Sequence, residues 1–175
     1  DFDTPAAMVF DLDPGEGTGI LDAAELALVL HDMLAGVGLQ SLAKSTGSKG
    51  VQVYVPLNAP ATFEQTKAFS RNVAEVMAAR LGDRVVARVD KRLRGGKVLV
   101  DWGQNDRHKS TVAAYSLRAK LARPTVSLPL PWEALEQASR PDDLLIAPQD
   151  ALDRVEQHGD FFAPVLVCVQ HLPGS

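Results

Sequence analysis

The 175-residue sequence predicts an α+β fold in which a mixed β-sheet is flanked by helices. Three observations carry this. Short apolar runs closed by acids or turn residues read as strands, and longer runs with apolar residues three and four apart read as helices. The two kinds interleave, with a hairpin-like strand pair among them that a doubly wound parallel sheet would lack. The length suits one domain with a real core, so residues 1–175 are expected to form a single unit.

Each element has its own reason. Residues 6–10 are an apolar run leading into Asp11-Leu12-Asp13-Pro14, a buried strand that ends in acid. Leu26, Leu28, Val29, Leu30, Met33 and Leu34 keep helical spacing, with Asp22 as N-cap and Gly36 and Gly38 closing the helix; His31 within it reads as an ordinary helical histidine. Residues 39–43 form a short strand before the loop Ser45-Thr46-Gly47-Ser48-Lys49-Gly50, and residues 51–55 form the next strand. Thr62 caps a helix running to about Leu81, with Phe69, Val73, Val76 and Met77 as its core stripe. Residues 84–87, 98–102 and 112–114 read as strands. Pro124, Pro129, Pro131, Pro141 and Pro148 make 121–148 largely irregular, with a helical turn at 131–135. Helices are expected over 148–158 and 160–170.

Composition excludes some classes. Hydrophobic content of 46% and charged content of 23% are those of an ordinary globular protein. No apolar stretch approaches the roughly 20 residues that cross a bilayer, and no signal-peptide pattern opens the chain, so a cytoplasmic location is expected. Cys168 is the only cysteine, which excludes an intrachain disulfide or thiolate metal cluster; in its apolar run it reads as a buried, inert thiol. The net charge of −4 argues mildly against nucleic acid, yet basic residues cluster mid-chain: Arg88, Lys91, Arg92, Arg94 and Lys97, then Arg107 and Lys109, then Arg118, Lys120 and Arg123. Such runs are also what solvated loops carry.

The chemistry begins with Asp11 and Asp13. Residues i and i+2 of a strand share a face, and two carboxylates so close repel each other unless a cation lies between them. Mg²⁺ takes carboxylate and phosphate oxygens together. Alone, the pair is equally a solvated acidic turn before Pro14. Asp101 ends a second apolar strand, and three acids on neighbouring strands can cage two metal ions for phosphoryl transfer. The loop at 45–50 offers amides, hydroxyls and Lys49 to phosphates. It is not a Walker loop, because a strand follows it.

Asp11-Leu12-Asp13-Pro14-Gly15-Glu16-Gly17, Thr46-Gly47-Ser48-Lys49-Gly50 and Val100-Asp101-Trp102-Gly103-Gln104-Asn105 resemble, in order, the three motifs of the archaeo-eukaryotic primase superfamily. The nearest likeness is to the polymerase domain of bacterial ligase D, which works in non-homologous end joining. The run from Lys109 to Ala119 is similar to that domain's segment after its third motif. The resemblance implies a primase-like catalytic core that transfers nucleotides, preferably ribonucleotides, to a DNA 3′-hydroxyl with Mn²⁺ or Mg²⁺. It implies Asp11, Asp13 and Asp101 as metal-binding and catalytic residues. It implies nucleotide contacts at Thr46, Gly47, Ser48, Lys49, Gly50, Gln52, Gln104 and Arg118, with DNA along Arg92, Arg94 and Lys109. Implied partners are nucleoside triphosphates, primer DNA, and the ligase and Ku proteins of end joining, at the nucleoid and not at a membrane.

Two departures stand out. The family pattern of the second motif is Ser-Gly-Ser-Lys-Gly-Leu-His; Thr46 keeps the hydroxyl, but Gln52 replaces the titratable histidine. The family also carries a basic segment before its first motif, and this sequence begins almost at the motif, as a fragment of a longer protein or as a short relative would. Both departures leave open an alternative: a primase-like module that binds nucleotide or DNA with weak or no extension. A phosphohydrolase using Asp11 as nucleophile is a third reading, which the downstream segments do not match.

Overall fold

The computed structural model describes residues 4–174. In chain order the elements are β1 (Ala7–Pro14), α1 (Ile20–Gly36), β2 (Leu42–Ser45), β3 (Val51–Pro56), α2 (Phe63–Arg80), β4 (Val85–Val86), β5 (Val98–Asp101), β6 (Leu117–Arg118), β7 (Thr125–Val126), β8 (Pro129–Leu130), α3 (Trp132–Gln137), α4 (Pro148–His158) and α5 (Pro164–Val167). Six strands form one sheet in the order β4-β5-β1-β3-β2-β8, and β6 and β7 make a separate ribbon. Only the β4–β5 pair is parallel, so the sheet is mixed, as expected.

Alternation along the central strands sorts the two faces. Met8, Phe10 and Leu12 of β1, with Val51, Val53 and Val55 of β3, are buried in one core with Leu26, Leu30 and Leu34 of α1 and Ala74 and Met77 of α2. The opposite face carries Asp11 and Asp13, Gln52 and Tyr54, Lys44, and Asp101. Helices thus cover one face and leave the other for chemistry.

The helix α2 starts at Thr62 as predicted: its hydroxyl accepts from Gln65 N–H at 3.2 Å, and the Gln65 side chain accepts from Thr62 N–H at 2.8 Å. The helix α4 spans the predicted 148–158. Elsewhere the structure differs. Gly19, not Asp22, is the N-cap of α1, and the Asp22 carboxylate reaches back to accept from Gly19 N–H at 2.8 Å. The strand expected at 39–43 begins at Leu42, because Gly38 (φ +82°) turns left-handed and Leu39 N–H is spent on Leu34 C=O, closing α1. Residues 112–114 form no strand; the Val112 carbonyl accepts from a side chain, and Tyr115 follows at φ +65°. The proline-rich stretch is more regular than expected, since β7, β8 and α3 lie within it.

The closing helix expected over 160–170 shrinks to α5. Leu166, Val167 and Val169 are exposed and Cys168 is only half-buried, so it is not the core thiol the apolar run suggested. Asn58 and Gln170 hold this segment to the body instead, through Val165 C=O, Cys168 C=O and Pro56 C=O.

Candidate active site

The antiparallel register of β1 and β5 sets Asp11 opposite Asp101, with Asp13 two residues further along β1. Directly opposed residues share a face, so the three carboxylates lie on one side of the sheet. The row continues from Asp11 to Gln52 on β3 and from Gln52 to Lys44 on β2. Burial, first of all, raises the Asp11 carboxyl from 3.8 to about 6; the charges of Asp13 and Asp101 push the same way, while the Gln52 hydrogen bond and the Lys44 charge oppose. Lys44 is fully buried, and burial lowers its ammonium to about 8 against the pull of Asp11.

The other two acids are engaged. Asp13 pairs with the Arg94 guanidinium and lies 3.6 Å from Lys49 Nζ. Asp101 accepts from Gly103 N–H and from Gln104 Nε2, each at 2.8 Å. Among the described residues no three acidic, histidine or cysteine side chains stand together as a ready-made cation site. The donor chemistry nonetheless suits a hard divalent cation: three carboxylates on one face, one of them pushed towards protonation by burial and, less, by the other two. A cation there would meet Arg94, which already pairs with Asp13.

The loop between β2 and β3 closes on itself. Thr46 Oγ1 accepts from Gly50 N–H at 3.3 Å and donates to Gly50 C=O at 3.0 Å. Gly47 is left-handed (φ +69°), and a Cβ there would lie 2.7 Å from Arg118 Cγ. Lys49 Nζ donates to Pro14 C=O at 2.7 Å, holding the loop tip over the end of β1. A cleft of ≈ 470 Å³ results. Asp11 and Asp13 line it together with Thr46, Ser48, Lys49, Gly50, Gln52, Gln104 and Arg118. The lining brings acids, bases and hydroxyls together.

The profile of the family described as LigD, primase-polymerase domain, matches residues 1–162. The chain belongs to that family. It is 35% identical over 158 residues to the multifunctional non-homologous end joining protein LigD of Mycolicibacterium smegmatis, covering 90% of this chain and 20% of that one. Against the LigD of Mycobacterium tuberculosis it is 37% identical over 153 residues, 87% of this chain and 20% of the relative. It superposes on the polymerase domain of Mycobacterium tuberculosis Ligase D, solved in complex with DNA, at a TM-score of 0.86 and 34% identity, covering 95% of this chain and 57% of that one. The chain thus spans about a fifth of the length of these curated relatives.

Within this LigD-type domain, most residues picked from the sequence gather at one place. Gly47 and Asp101 do not line the cleft: Gly47 shapes the loop by fitting against Arg118, and Asp101 lies opposite Asp11 on β5, bonded to Gln104, which does line it. The three residues assigned to DNA separate. Arg94 is turned in to Asp13, Arg92 is exposed and paired with Asp90 at 2.8 Å, and Lys109 lines a second cleft of ≈ 290 Å³ that shares Gln104, Ser110 and Thr111 with the first. Among the described residues no helix is long and apolar enough to cross a membrane.

Sequence reasoning missed Lys44 and Asn105. Asn105 is buried: its Nδ2 donates to Val9 C=O (2.7 Å), Trp102 C=O (2.9 Å) and Ser70 Oγ (3.0 Å), and its Oδ1 accepts from Val9 N–H at 2.8 Å. It joins the turn after Asp101 to β1 and α2. Lys44 carried a signal, a lysine two residues after a leucine in a strand, but nothing in the sequence says that its charge is buried.

Proposed function

We propose that this LigD-type domain transfers nucleotidyl groups from nucleoside triphosphates to a DNA 3′-hydroxyl in end joining. The observation that supports this most is the register that sets Asp11 opposite Asp101, with Asp11 and Asp13 lining a cleft edged by Lys49 and Arg118. Asp11, Asp13 and Asp101 would hold Mn²⁺ or Mg²⁺. When bound, the cation supplies charge neutralisation and acidifies the attacking hydroxyl.

The chain's own residues account for the rest. Lys49 and Arg118 would take the phosphates and offset charge gathering on the leaving pyrophosphate. Among the described residues the buried Arg118 Nε has no hydrogen-bond partner, so the guanidinium keeps a donor to give. Ser48 would add a neutral donor, while the Thr46 hydroxyl and the amides of Gly47 and Gly50, which bond within the loop, would hold its shape. Gln104, bonded to Asp101, would orient that carboxylate while facing the nucleotide. Gln52, which bonds Asp11, holds the Asp11 carboxylate towards ionisation. Arg92 and Lys109 would track DNA phosphates, and Arg94 would be released towards them when Asp13 takes the cation. Ribonucleotide preference, association with ligase and Ku, and residence at the nucleoid belong to the same reading.

Primer extension tests it. The wild-type chain should extend a primer with ribonucleoside triphosphates and Mn²⁺ and stop in EDTA, while Asp11→Ala should be inactive. A second reading, binding without extension, is favoured by two observations: Gln52 in place of the family histidine, and the Arg94–Asp13 pair. Triphosphate binding by a wild-type chain that never extends a primer would establish it.

A further inference from the structure

Lys44 is the one fully buried cation among the described residues that the proposed function leaves without a task. Its Nζ donates to Val112 C=O at 2.6 Å and to Ser127 Oγ at 2.9 Å, and it lies 5.7 Å from the Tyr54 ring centroid. Among the described residues no carboxylate bonds it. Taking an ammonium out of water costs several kcal/mol, and its partners are a carbonyl and a hydroxyl that a neutral donor could also serve. A methionine would fill the volume without that cost. The location explains the choice. Lys44 ends the row Asp101, Asp11, Gln52, Lys44, so its charge faces the acids across the sheet.

The segment it grips lines the cleft. Residues 110–116 contain no helix or strand and lie across the open face of the sheet. Ser110, Thr111 and Val112 line the cleft, and Arg118 follows in β6. Lys44 holds Val112, and Tyr54 Oη shares a 2.6 Å hydrogen bond with Thr111 Oγ1. The second Lys44 partner, Ser127, is the hinge. Its hydroxyl donates to Ser45 C=O at 3.1 Å, its carbonyl accepts from Tyr115 N–H at 2.7 Å, and its N–H donates to Ser116 C=O at 2.9 Å. Immediately before Ser127, Val126 and Thr125 pair with Leu117 and Arg118. A continuous run of hydrogen bonds therefore joins Lys44 to the backbone of Arg118.

We propose that Lys44 is a positioning residue: it clamps the 110–116 strap to the sheet and, through Ser127, sets where the Arg118 guanidinium meets a triphosphate. This rests on the nucleotide reading of the cleft, and the test separates the two. Hydrogen exchange is measured on the wild-type chain, on Lys44→Met, and on Leu30→Ala, a core variant of α1 remote from the strap. Triphosphate and nucleoside binding are measured on the same proteins.

Lys44→Met should speed exchange over 110–118 by about tenfold or more, as loss of a charge-assisted hydrogen bond implies, with β1 and β3 unchanged. Triphosphate affinity should fall by about tenfold, and nucleoside affinity far less. Leu30→Ala should lower the melting temperature without either effect. Unchanged exchange in the strap overturns the clamp. So does faster exchange spread equally over the sheet, or a loss of affinity matched by Leu30→Ala, because either makes Lys44 an ordinary stabilising residue. A freed strap with unaltered triphosphate affinity overturns the link to Arg118. A wild-type chain that binds no triphosphate overturns the reading of the cleft, while the exchange comparison still decides the clamp.

Discussion

Replacing Asp11 by asparagine should make the cation-free protein more stable at neutral pH. Burial, with help from Asp13 and Asp101, raises the Asp11 carboxyl from 3.8 to about 6. A rise of that size corresponds to about 3 kcal/mol between its two protonation states. The fold disfavours the charged form. Stability from this group is therefore complete below pH 3.8, drains away as pH rises to about 6, and stays lost above it. Asparagine 11 would be neutral throughout and could still accept the Gln52 hydrogen bond. In EDTA at pH 7.5, Asp11→Asn should gain up to about 3 kcal/mol, or roughly 6–12 °C in melting temperature for a chain of this length. Near pH 4 the gain should shrink towards zero. Mn²⁺ should then narrow the gap, because an ion at about 100 times its Kd stabilises the protein that binds it by about 2.7 kcal/mol. Thermal melts from pH 4 to 8, with and without Mn²⁺, measure all of this. A variant no more stable than wild type at pH 7.5, or one whose gain is flat with pH, would refute the account of Asp11.

Three further substitutions have defined outcomes. Lys49→Ala should weaken triphosphate binding about tenfold and nucleoside binding much less, in an equilibrium competition assay; equal losses would remove Lys49 from the phosphates. Gly15→Ala should cost about 3 kcal/mol in urea unfolding, because a Cβ there would sit 2.0 Å from Arg94 C=O and 2.8 Å from Lys97 C=O, both backbone atoms. Asn105→Ala should cost about 2–4 kcal/mol and accelerate exchange at Val9, since it strands the Val9 N–H and C=O within the sheet.

What the sequence made legible follows from where information is local. The acid at the end of two apolar runs, the glycine-bracketed Lys49 loop and the Thr62 cap are each written within a few residues, and the structure puts all of them where their patterns pointed. The errors lie where a segment's partner is distant. Residues 112–114 have the composition of a strand, but their backbone is claimed by Lys44, 68 positions away. The apolar run 165–169 reads as core, yet Asn58 holds it by the carbonyls of Val165 and Cys168, and Leu166 and Val167 remain outside. Pro129 and Leu130 read as irregular, yet an edge position beside β2 tolerates proline and makes a strand of them.

The charges of the site obey the same division. Sequence identifies which residues are ionisable, but pairing is a property of register and packing. Arg94 belongs by sequence to a basic block and in space to Asp13; Lys44 belongs by sequence to a strand and in space to the far end of the acidic row. These two cations bracket the carboxylates from opposite sides, one through an ion pair and one through a field across Gln52. The protein is thereby compatible with three adjacent acids before any ion arrives, and the two devices answer to different events. On the proposed function, an incoming cation would compete with Arg94 for Asp13. Among the described residues Lys44 bonds Val112 C=O and Ser127 and no acid, so on the proposal above it would keep the strap and Arg118 set during that exchange.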